Sequence, residues 1–244
     1  MPSAITLMSA QKNDLMLYEG KTYRLAGIAS DDPSVELFEP AHYGIQAIPR
    51  STGCWRGFRA TYGLRENRLV LEELGINCDN PEFGAEFDAE IERMRQSDLR
   101  GAAKSRQRKQ HYVKLQIMKN SACGPAIHGV YPVPPVSRHD SGAFSNHYFD
   151  VGLPMPFSGG LLICDSFIFE LYTHMGFHPA WKYEEVKELT FSDGVLTMIR
   201  DRSDEMKKMR ESLVDTDEEK MDRKSLEGIA SWIERSFDRR YRSE

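Results

Sequence analysis

Two β-prone runs joined through an Asp-Gly pair constrain this chain more than any other feature in it. Val186-Lys187-Glu188-Leu189-Thr190-Phe191 is followed by Ser192-Asp193-Gly194 and then by Val195-Leu196-Thr197-Met198-Ile199. The left-handed backbone of a tight hairpin turn costs Gly nothing and Asp little, so this order of residues predicts a β-hairpin. Just upstream, Leu161-Leu162-Ile163 forms a short apolar run behind Gly159-Gly160, the pattern of a strand covered on both faces.

The same theme recurs toward the N-terminus. Tyr18 to Leu25 reads as a small hairpin with Glu19-Gly20-Lys21 at its turn and Tyr18 and Tyr23 on either side. Farther on, Phe58, Ala60 and Tyr62 alternate with Arg59, Thr61 and Gly63, which predicts a strand with its aromatic face buried. Glu66-Asn67 supplies a turn, because Asn tolerates positive φ, and Leu69-Val70-Leu71 begins the return strand.

Between and after these hairpins the patterning becomes helical. Phe83, Phe87, Ile91, Met94 and Leu99 fall near helical spacing, with glutamates early and arginines late in the segment, an order that suits the helix dipole. Six prolines between residues 120 and 158 favour loop, since each removes an amide donor. Past Ser203, Met206, Met209 and Leu213 make one apolar stripe, and Leu226, Ile229, Ala230, Ile233 and Phe237 make a second.

The expected fold is therefore α+β: antiparallel β-hairpins forming one sheet, with a helical insert and C-terminal helices. Residues 1–202 would be a single domain with an insert at about 81–158, and 203–244 a C-terminal helical segment. The aromatic and imidazole side chains around Trp55 and Trp181 are expected to close the sheet core rather than to line a site.

Net charge of −5 argues against a dedicated nucleic-acid binder. Cys54, Cys78, Cys123 and Cys164 form no CxxC or CxxH pair, which removes a zinc ribbon and suits reduced thiols in a cytosol. No stretch is apolar for the roughly 18 residues of a membrane span. The chain is read as cytoplasmic, without a cofactor or a bound metal, and with another protein as its partner.

Histidine supplies the candidate chemistry. His174 and His178 stand four apart, a spacing that on a helix would align both imidazoles for a metal, but Gly176 and Pro179 argue against a helix there. His139 lies among Arg138, Asp140 and Ser141 in the proline-rich segment, where a polar surface loop outweighs a hydrolytic triad, because triads are recognised by geometry. Asp165 follows Cys164 at the end of the apolar run. His139, His174, His178 and Asp165 are the candidates for catalysis by a small metal-dependent or acid/base enzyme. A nucleophilic Cys54 would need a nearby cation such as Arg56 to lower its pKa. The basic run at 100–119 offers Arg106, Arg108 and Lys109 as partner-binding residues, and it could also meet phosphate or nucleic acid.

A Tyr-x-Gly-x-x-Tyr opening (Tyr18, Gly20, Tyr23), the run Cys54-Trp55-Arg56-Gly57-Phe58 ahead of one hairpin, and Gly159-Gly160-Leu161-Leu162-Ile163 with Trp181-Lys182-Tyr183 ahead of another are the motifs that carry a likeness. In these the chain loosely resembles uncharacterised bacterial cytoplasmic proteins with a WRG-type hairpin motif, of the immunity-like or accessory kind. The resemblance covers the two sheet halves and implies structural rather than catalytic roles for the motif residues. The leading expectation is a non-enzymatic, protein-binding cytoplasmic module, immunity-like or regulatory.

Overall fold

The computed structural model describes residues 9–30, 36–78, 89, 92–93, 122, 124–134, 144–214 and 239–241. Turn chemistry sets its framework. Asp193 and Gly194 have φ of 47° and 76°, Glu19 and Gly20 have 49° and 74°, and Glu66 and Asn67 have 50° and 64°. Two successive left-handed residues are what a two-residue hairpin matched to strand twist requires, and each of these pairs sits at an expected turn.

The strands are β1 (Leu15–Tyr18), β2 (Lys21–Ala29), β3 (Phe58–Arg65), β4 (Arg68–Ile76), β5 (Asn146–Tyr148), β6 (Leu153–Pro154), β7 (Gly159–Phe167), β8 (Tyr183–Ser192) and β9 (Val195–Asp201). They make one sheet in the order β3-β1-β2-β7-β8-β9-β4-β5, with β6 also on β4. Because β3 pairs with β4 as well as with β1, the sheet closes on itself like a barrel. The β4 and β9 seam is narrow: Arg68 faces Val195, and the Leu69 amide donates to the Gly194 carbonyl at 2.8 Å.

Two features correct the expectation of a wholly antiparallel sheet with a proline-rich loop. Strands β1 and β3 run parallel, with Leu15 opposite Thr61 and Met16 opposite Tyr62. The short strands β5 and β6 lie inside the segment expected to be loop, and Pro154 sits in two-residue β6 on the flank of β4, the kind of marginal strand position proline tolerates.

Alternation decides what is inside. Met16, Tyr23, Leu25, Phe58, Ala60, Tyr62, Leu69, Leu71, Leu161, Ile163, Leu189 and Phe191 point inward and form the main core. Leu162, Cys164, Tyr183 and Val186 point outward and pack with Met206 in a second cluster. Leu161, Leu162 and Ile163 are thus covered on both faces, as their apolar run predicts.

Met206 comes from α1 (Ser203–Val214), the one complete α-helix among the described residues. It supplies the first of the expected C-terminal stripes, although Met209 is exposed. A pair of C-terminal helices is not supported, since the second stripe, Leu226 to Phe237, lies outside the described residues. So does most of the expected insert helix, of which Ala89, Glu92 and Arg93 are described and are helical.

The chain's last described residues return to the sheet. The Ile28 amide donates to the Arg239 carbonyl at 2.8 Å, and the Tyr241 amide donates to Ile28 at 3.2 Å. Tyr241 lies where side chains are missing: a Cβ on Gly27 would stand 2.9 Å from its Cδ1, and one on Gly160 2.3 Å from its hydroxyl oxygen. That hydroxyl donates to Glu188 Oε1 at 2.8 Å, and Arg202 donates to Glu188 Oε2 at 2.6 Å. A buried carboxylate is thereby matched by two donors.

Candidate functional site

Outward-facing positions of β1, β2 and β3 meet the segment Phe167–Tyr183 around a cavity of about 440 Å³. Leu15 opposes both Arg24 on β2 and Thr61 on β3, so Leu15, Arg24 and Arg59 share the outer surface of the sheet beside one another. Arg24 and Arg59 line the cavity together with Lys12, and Phe167, Phe169, Tyr172, His178 and Tyr183 supply its aromatic lining. The size is within the range of small-molecule sites, roughly 300–1,000 Å³.

The N-terminal limb that carries Lys12 is fixed through its neighbours. The Gln11 amide donates to the Gly176 carbonyl at 2.7 Å, the Lys12 amide to Gly53 at 2.8 Å and the Asn13 side chain to Leu25 at 2.9 Å. Gln11 Nε2 reaches the Thr52 carbonyl at 2.8 Å, while its Oε1 accepts from the Trp55 amide at 2.9 Å. Asp14 then anchors the limb. It is 1% exposed and accepts from Arg56 at 2.8 and 3.0 Å, from Arg239 at 2.9 Å and from the Ala60 amide at 2.9 Å. Burial alone would raise its pKa, but Arg56 and Arg239 outweigh burial and hold the carboxyl well below the usual carboxylate range.

This explains the Trp-Arg-Gly motif physically. Arg56 binds Asp14 and lies 4.6 Å over the Phe58 ring. Gly57 has φ of 73°, and its missing Cβ leaves room for the Ile48 backbone. Trp55 itself is 45% exposed and belongs to no core cluster, so it does not close the sheet as expected.

The other wall is aromatic. The His178 ring centroid is 4.7 Å from Phe167 and 5.2 Å from Tyr172, Phe167 is 5.2 Å from Tyr183, and Tyr172 stacks on Phe169 at 6.0 Å. Tyr183 belongs to the second core cluster, with Phe167 and Trp181 packed against it, as expected of the aromatics near Trp181, while Phe167, Tyr172, His178 and Tyr183 also line the cavity. Arg210 of α1 braces the wall by donating to the Trp181 and Tyr183 carbonyls at 2.6 and 3.2 Å.

His178 carries the polarity of that wall. It is 7% exposed, and neither ring nitrogen has a hydrogen-bond partner. Burial, then the charges of Lys182 and Arg24, lower its pKa to about 4, so the imidazole is neutral at physiological pH. A neutral imidazole has one donor and one acceptor, and burying both unmet costs ~1–3 kcal/mol each.

Among the described residues the cations meet no carboxylate there, although Arg24 interacts with the Tyr183 hydroxyl. No carboxylate lines the cavity, and no carboxylate pairs with Lys12, Arg24 or Arg59, among the described residues. Lys12 lies 5.9 Å from the Phe144 ring. Positive charge focused between low-dielectric walls attracts anions.

The expected site residues divide sharply. His178 is in the cavity wall. His174 is exposed and packs edge-on against Tyr172 at 4.9 Å. The two histidines do not share a helix face, because Gly176 takes φ of 67° and bridges to Ala10. Asp165 is elsewhere, paired with Lys21 at 2.8 Å, and that lysine lowers its pKa. Among the described residues no group of three His, Cys, Asp or Glu is placed to hold a metal. Cys54 and Cys164 are buried, and burial pushes both thiols up, for Cys54 against the opposing charge of Arg56. They are not placed as nucleophiles. His139, Arg106, Arg108 and Lys109 lie outside the described residues. No described helix is long and apolar enough to cross a membrane.

Lys12, Arg24 and Arg59 were not singled out from the sequence. The only signal available was parity: Arg59 falls on the outward face of an aromatic-inward strand. No family model, curated protein or solved structure matches the chain.

Proposed function

We propose that the chain is a non-catalytic, regulatory binding module of the cytoplasm that takes a small anion in the cavity between β1–β3 and the Phe167–Tyr183 wall. The observation that carries this reading is the convergence of Lys12, Arg24 and Arg59 on one cavity in which no described carboxylate neutralises them. Other proteins are then partners through the liganded state.

Each charge-assisted hydrogen bond to the anion is worth ~1.5–3 kcal/mol, or about tenfold or more in affinity. Titration calorimetry with acetate and inorganic phosphate should therefore give saturable binding to the wild-type chain. Arg24→Ala combined with Arg59→Ala should weaken it at least a hundredfold. Both arginines are on the outer surface, so the double variant should keep its fold. Equal binding by the double variant, or no binding of any anion by the wild type, would overturn the proposal.

A further inference from the structure

We propose that the anion is an aromatic acid: one flat ring bearing a carboxylate or phosphate group, with a hydroxyl or amino substituent that His178 reads. This rests on the anion-binding reading above and specifies its ligand. The charged head would be met by Arg24 and Arg59, which share the outer sheet surface on either side of Leu15.

The aromatic lining beside that head suits a ring. The His178 centroid is 4.7 Å from Phe167 and 5.2 Å from Tyr172, at tilts of 42° and 52°, Phe167 meets Tyr172 edge-on at 6.4 Å, and Phe169 extends the array by stacking on Tyr172 at 16°. Phe169 is 77% exposed although it lines the cavity, so its face is open to a further planar group at the mouth. Aromatic side chains favour offset or edge-on ring partners over saturated groups of equal size.

His178 adds a polar requirement inside the same wall. Its two ring nitrogens are without partners and closed to the cavity, so the ring must turn for a ligand to reach them, after which one can donate and the other accept. A ring hydroxyl offers a donor and an acceptor at one atom, and an amino group offers a donor. A bare hydrocarbon ring would leave both nitrogens unmet, which costs affinity.

The test is a calorimetric series on the full chain: acetate, cyclohexanecarboxylate, benzoate, 4-hydroxybenzoate and phenyl phosphate. Benzoate should bind at least tenfold tighter than acetate and several-fold tighter than cyclohexanecarboxylate, and 4-hydroxybenzoate at least fivefold tighter than benzoate. Phenyl phosphate tighter than benzoate would assign the head as phosphate, and the reverse as carboxylate. Tyr172→Ala, at an exposed position, should remove the advantage of benzoate while leaving acetate binding in place. His178→Phe, which keeps a ring against Phe167, should remove only the advantage of the hydroxyl. Acetate binding as tightly as benzoate would overturn the ring and leave the anion reading standing. Equal affinity for benzoate and 4-hydroxybenzoate would overturn the role given to His178. Binding of none of the five would defeat both proposals together.

Discussion

Asp14→Asn will destabilise the chain by ~3–5 kcal/mol, the usual effect of removing one partner from a buried ion cluster. The carboxylate is 1% exposed and receives Arg56, Arg239 and the Ala60 amide. Asparagine keeps the shape but removes the charge, so two guanidinium groups would face one another with, among the described residues, only Glu36, 3.9 Å from Arg56 and 3.2 Å from Arg239, to balance them. Urea unfolding measures the loss as a lower midpoint at unchanged slope. The variant should also loosen the limb that carries Lys12, and with it the cavity. A loss under about 1 kcal/mol would mean that the cluster contributes no more than an exposed ion pair.

The second large effect is expected from Gly57→Ala, at roughly 2–4 kcal/mol, because a strained backbone and a steric clash act at one residue. Gly57 holds φ of 73°, and a Cβ there would stand 2.6 Å from the Ile48 carbonyl oxygen and 2.7 Å from its nitrogen. Backbone cannot swing aside as a long side chain can. The Gly57 carbonyl also accepts from the Asn77 amide at 2.8 Å, so any shift disturbs the end of β4. Thermal unfolding of Gly57→Ala beside Gly129→Ala separates the two contributions, since Gly129 has φ of 79° with no atom within 4 Å of its would-be Cβ. Equal losses at both positions would show that the close packing of Ile48 adds nothing.

The hairpins were legible because their signals are local. Asp193-Gly194, Glu19-Gly20 and Glu66-Asn67 each determine φ at their own position, and inward alternation follows from the strand period. Closure of the sheet was not legible, because it depends on β1 meeting β3, with Leu15 opposite Thr61, and on two hairpin ends meeting at Val195. Nothing in a window of sequence encodes such long-range pairings.

The site was hidden for the same reason. Lys12, Arg24 and Arg59 come from three separate stretches, and each alone reads as an ordinary exposed cation. His178 did stand out, but as half of a metal pair with His174, whereas its significance lies in burial without a partner. The Trp-Arg-Gly motif stood out in the sequence, and its arginine holds Asp14 on the limb that carries Lys12.

The most direct measurement is the nitrogen-15 NMR spectrum of the His178 imidazole, titrated with acid in the presence and absence of 4-hydroxybenzoate. In the free chain the ring should remain neutral through pH 6 and take its proton near pH 4, where burial and the charges of Lys182 and Arg24 place its pKa. Saturating ligand should shift both ring nitrogens and raise that midpoint, as a nearby anion favours the charged form. An imidazole that titrates at its ordinary value near 6.5 and ignores the anion would contradict a buried His178 that a ligand reaches.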